Sequence, residues 1–156
     1  MTPRWLGLLA ASWIAYGMWT GWSFPLDYVN LAIHEAGHPL VGMFSSNLMV
    51  YGGTLFQLVF PYAFYQHFQR QHHRNGQWFS LMWLSTSLHN MGVYMKDARA
   101  KELPLVGGLD PEHFHDWSEI FSRWGLLPYD RFFGMLAIMG AWALWLWVVW
   151  QLSIIE

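Results

Sequence analysis

Five apolar runs punctuate this chain of 156 residues, and their lengths constrain its fold more than any other feature. A helix needs about 20 apolar residues to cross the hydrocarbon of a bilayer. Residues 5–24, 27–44, 54–68, 78–95 and 132–152 approach or reach that length with few charges. Composition agrees, since 54% of residues are hydrophobic and only 12% charged, too apolar for an ordinary water-soluble domain. Trp, Tyr and Phe also gather near the ends of these runs, where amphipathic rings favour the headgroup layer. The expected fold is all-α: a polytopic membrane protein, a single domain over 1–156, with a bundle of about five transmembrane helices. One polar segment, 96–131, carries a short amphipathic helix with the stripe Phe114, Trp117, Phe121 and Trp124.

The runs differ in character. The first holds bulky Trp13, Trp19 and Trp22 and lacks a small-residue cleavage site, so it reads as a mature helix rather than a signal peptide. Pro61 predicts a kink in the third, and a re-entrant segment around 50–60 is the alternative to a full crossing there. Ser85, Thr86, Ser87, His89 and Asn90 make the second half of the fourth run polar, which turns it towards protein or water. Arg4, Lys96, Arg99, Lys101, Arg123 and Arg131 fall on one side of a five-span topology, and Arg70 and Arg74 on the other. That asymmetry predicts a multi-pass protein with its N-terminus and the 96–131 segment in the cytoplasm. The net charge of -2 and the lack of a basic run argue against nucleic acid as a partner, and the apolar runs make the lipid bilayer one. Without cysteine, any metal must bind through His, Asp or Glu.

The second run contains His34-Glu35-Ala36-Gly37-His38. Residues four apart share a helix face, so His34 and His38 can offer two imidazoles to one metal while Glu35 lies beside it as a base. The bland alternative is a pair of buried histidines bonded to backbone or Asn30. It leaves three ionisable groups in an apolar helix unexplained.

On this motif the chain resembles the site-2 protease family of membrane-embedded zinc peptidases. The resemblance implies one Zn2+ per chain held by His34 and His38, Glu35 as the catalytic residue, and cleavage of peptide bonds in membrane-associated substrates. It also implies a third ligand from an aspartate on a later Leu-Asp-Gly element, and Leu103-Pro104-Leu105-Val106-Gly107-Gly108-Leu109-Asp110 looks similar. Pro111 stands where the family has glycine, and the family's Asn-Pro approach is missing.

Several residues compete for that third position. Asp110 before Pro111 and Glu112 is equally a good helix N-cap. His113 lies beside Trp117 on the amphipathic stripe, which favours it if a helix from Pro111 packs by that stripe. His115 is favoured if the helix begins later, and the adjacent Asp116, which could orient a ligating imidazole, makes His115 the choice here. His89 and Asn90 offer a metal ligand, a hold on a substrate backbone or a donor to a transition-state oxyanion, and the plainer alternative is an interhelical hydrogen bond. His67, His72 and His73 sit by a basic turn and read as solvated or bound to lipid headgroups, and Asp97, Arg99, Lys101 and Glu102 read as a solvated face with local ion pairs. Gly52-Gly53-Thr54 is expected to offer an edge for a substrate strand.

Two other functions compete. The groups His34/His38, His67/His72/His73 and His113/His115 allow a di-iron hydroxylase or desaturase, although its usual His-x-x-His-His boxes are missing. A catalytically inactive metal-binding membrane subunit is the third reading.

Overall fold

The computed structural model describes residues 4–105 and 110–154; Val106, Gly107, Gly108 and Leu109 of the second motif lie outside them. Among the described residues seven α-helices run α1 Arg4–Thr20, α2 Leu26–Gly42, α3 Met49–Arg70, α4 Arg74–Lys96, α5 Pro111–Phe114, α6 Asp116–Trp124 and α7 Asp130–Ile154. No strand occurs among the described residues.

Each of the five apolar runs lies largely within a long helix, but the bundle of five transmembrane spans is not what they form. Among the described residues only the segment Leu127–Ile154, which includes α7, is long and apolar enough to cross a membrane. The physical reasons differ by helix. α1 and α2 have 17 residues each, about 25 Å at 1.5 Å per residue, short of a roughly 30 Å hydrocarbon core. α3 and α4 are long enough, with 22 and 23 residues. However, Gln57, Gln66, His67, Gln69 and Arg70 dilute α3, and the Ser/Thr/His/Asn half of α4 dilutes that helix.

α4 is the central helix, packed against α3 on one side and α7 on the other. Its polar half faces protein. Trp83 Nε1 donates to Asn30 Oδ1 of α2 at 2.6 Å, Ser87 Oγ donates to the same oxygen at 3.1 Å, and Asn90 Nδ2 donates to Asp27 Oδ1 at 2.6 Å. α4 and α7 meet where Gly92 and Gly134 face each other. A methyl group on Gly92 would stand 2.7 Å from Gly134 O, so the backbones can approach this closely only without side chains. An apolar core from α1, α2, α4 and α7 includes Ile14, Leu26, Met82 and Val148. A second, around Val50, Met95, Trp117, Ile120 and Phe121, seats the short helix α6 against α3 and α4.

Gly52, Gly53 and Thr54 lie inside α3, where the helix takes up their backbone groups, so they form no strand edge. Their use is different. Gly37 of α2 and Gly52 of α3 lie so close that a methyl group on either would overlap the other's carbonyl, and α2 and α3 therefore cross in contact at the histidine motif.

Candidate metal centre

Three donors converge at that crossing. His34 Nε2 lies 2.9 Å from Asp116 Oδ2, and His38 Nε2 lies 3.2 Å from the same oxygen. The edge of a tetrahedral zinc site with bonds of 2.0–2.1 Å is about 3.3 Å, so the spacing suits three ligands of one small ion. Among the described residues, this is where three His, Asp or Glu groups come together in that way.

α2 supplies both imidazoles from successive turns of one face. Each ring is oriented through its other nitrogen: His34 Nδ1 lies 3.3 Å from buried Gln57 Oε1, and His38 Nδ1 lies 2.9 Å from Met49 O. Both partners accept, so both Nδ1 atoms carry the proton. Each Nε2 is then the ring atom that faces Asp116, and it can offer its lone pair to a metal once no proton is held there. The floor of the site is Gly53, where a methyl group would stand 2.5 Å from His34 Nε2 and 2.6 Å from His38 Nε2. The absence of a side chain thus leaves a cradle between the two nitrogens, of a size and donor set that fit a metal ion.

Electrostatics favour a cation there. The His38 ring, hydrogen-bonded to the Asp116 carboxylate, is raised from 6.5 to about 9 despite its burial. Burial pushes Asp116 up, but its bonds to His34 and His38 outweigh that and hold it below the ordinary carboxylate range.

The acidic group beside His34 and His38 is Asp116, whereas His115, the choice from the sequence, and its alternatives Asp110 and His113 are not in this group. His115 is the N-cap of α6: its Nδ1 accepts from Ser118 N at 3.2 Å, and its Nε2 donates to Asp97 Oδ2 at 3.2 Å. Both nitrogens are used, and burial lowers the ring's pKa in spite of Asp97. Asp110 caps α5, accepting from Glu112 N at 3.0 Å, and pairs with His113 Nδ1 at 2.9 Å on an exposed edge. Two residues read as solvated or orienting therefore carry the geometry. Asp97 is buried, accepting from Glu102 N and Leu103 N as well as from His115, and this clip sets the start of α6 where Asp116 reaches the histidines. Arg99 and Lys101 form ion pairs with Asp130 and Glu112, partners outside the 97–102 stretch.

Glu35 is exposed and borders the same cleft, a cavity of about 540 Å³ that runs along α2 from His38 back to Asp27. Val50, Met91, Val93 and Leu105 make much of its wall apolar, while Asn30, Gln57, His89 and Asn90 add polar groups. His89 Nδ1 has no hydrogen-bond partner among the described residues, and Asn90 makes the bond to Asp27 instead. Tyr94 lies beside the cluster of His34, His38 and Asp116. Its ring is 4.2 Å from that of His115 and 6.1 Å from that of His34, and its Oη accepts from Asp116 N at 3.2 Å. Burial and the Asp116 carboxylate raise its pKa. The remaining histidines stay apart from the cluster, with His67 bonded to Gln71 and His73 capping α4.

Compared with known proteins, the chain matches no family model, no curated protein and no solved structure.

Proposed function

We propose that this chain is a zinc-dependent hydrolase of peptide bonds, with Glu35 as its general base. The observation that carries the reading is the convergence of His34, His38 and Asp116 on one point, with Glu35 beside it at the wall of a largely apolar cleft. Two imidazoles and one carboxylate, with a further position open, are a catalytic zinc donor set. Bound there, zinc would polarise a carbonyl and lower the pKa of water. The protein's own groups supply the rest. Glu35 takes a proton from the attacking water and returns it to the leaving amine as the C–N bond breaks. The apolar wall accepts an extended peptide with apolar side chains, and the exposed apolar side of α7 suits attachment of the enzyme to a bilayer.

The test combines metal content with cleavage. One zinc per purified chain is expected, lost in His34→Ala, His38→Ala and Asp116→Ala but kept in Glu35→Gln. A library of apolar decapeptides read by mass spectrometry should be cut by the wild type and left intact by Glu35→Gln. Equal cleavage by that variant removes Glu35 from the chemistry, and two irons per chain would favour the hydroxylase reading.

A further inference from the structure

We infer that Tyr94 is a catalytic hydrogen-bond donor to the oxyanion that develops on the substrate carbonyl, an inference that rests on the hydrolase reading above. Three observations place its hydroxyl for that task. The ring packs on His115, the cap of α6, and lies edge-on to His34 of α2, so two neighbours from distant parts of the chain hold it. Its oxygen accepts the backbone N–H of Asp116, which fixes the hydroxyl next to a residue of the metal cradle. That bond uses a lone pair and leaves the O–H proton with no acceptor among the described residues, while the side chain borders the cleft that contains Glu35.

A phenol is an ordinary neutral donor at physiological pH. As water adds to the scissile carbon, the carbonyl π electrons move onto its oxygen, and the Tyr94 O–H donates a hydrogen bond to that oxygen without giving up its proton. When the carbonyl reforms, the amine leaves with the proton held by Glu35. A preorganised donor aimed at developing charge is worth far more in a water-poor cleft than in solvent.

The plainer role for Tyr94 is to position Asp116 through the same N–H, and the two can be separated with binding probes. The zinc-loaded full chain and its Tyr94→Phe variant are titrated with N-phosphoryl-Leu-Trp, whose tetrahedral oxygens mimic the oxyanion. They are also titrated with mercaptoacetyl-Leu-Trp-amide, which reaches zinc through sulfur and has no such oxygen. Zinc affinity is measured alongside. The expected result is about a 10²-fold loss for the phosphoryl probe, with the thiol probe and zinc bound as in the wild type. Equal losses for both probes, or a parallel fall in zinc affinity, would make Tyr94 a positioning residue and overturn the inference. An unchanged phosphoryl affinity overturns it as well. A wild type that binds no zinc, or zinc but neither probe, overturns the hydrolase reading itself and this inference with it.

Discussion

Gly53 sits where an α-carbon faces two imidazole nitrogens, and the site depends on its having no side chain. Within a helix, alanine is ordinarily better than glycine by about 1 kcal/mol, so Gly53→Ala should keep the fold. It should nevertheless weaken zinc binding roughly 100-fold or more, because a methyl group would occupy the cradle and swing both rings aside. Competition with a zinc-sensitive dye measures this, and wild-type affinity in Gly53→Ala would show that the metal does not sit between the histidines. His38 makes a second prediction. Its folded pKa, about 9, lies above the unfolded value of 6.5. The His38–Asp116 pair therefore stabilises the metal-free chain fully below about pH 6.5 and loses that contribution as pH rises through about 9. Zinc must displace the same proton, so its apparent affinity should climb about tenfold per pH unit up to about 9 and then level off. Titration calorimetry in buffers of different ionisation enthalpy should find that proton released, and a flat profile between pH 7 and 8.5 would contradict the pairing. Sequence made the His34–His38 spacing legible because helical periodicity fixes which side chains share a face. Asp116 was legible only as a neighbour of His115. The deciding fact, that His115 turns back to cap α6, needs a capping histidine, and the usual capping signal is Ser, Thr, Asp or Asn.

At the scale of elements, α6 is a lever of nine residues whose first residue must reach across to α2. Its stripe of Trp117, Ile120 and Phe121 fixes its rotation against α3 and α4, and the His115–Asp97 clip fixes where it starts. His115→Ala removes the cap and leaves the buried Asp97 with one donor fewer. A loss of roughly 2–3 kcal/mol in chemical denaturation is expected, together with weaker zinc binding although the alanine replaces no metal ligand. Loss of stability with zinc affinity unchanged would separate the clip from the site. The approximate positions of the long helices were readable because apolar runs between polar turns are strong local signals, and the turn at 71–73 falls where the polar residues cluster. Their relation to a membrane was not readable in the same way. Apolar residues of α4 such as Leu81, Met82 and Trp83 serve contacts between helices, and a window of hydropathy cannot tell those from contacts with lipid.

For the molecule as a whole, α7 is the element that could hold it in a bilayer. Its 25 residues extend about 37 Å, and Leu136, Met139, Leu146 and Trp150 present large exposed side chains. If α7 spans, the chain should stay with membranes through an alkaline carbonate wash. Met139→Arg combined with Leu146→Arg, at about 2.5–3.5 kcal/mol per arginine near a span centre, should release it. Wild-type protein in the wash supernatant would contradict the span.

The carboxylate that completes the cradle lies 82 positions beyond the first histidine. The five-residue pattern on α2 is therefore not a self-sufficient unit. A fragment cut after α4 would carry the whole pattern and still offer an ion only two of its three protein donors. Screens that score such a motif in isolation would count that fragment as intact, whereas titration with zinc would find it deficient.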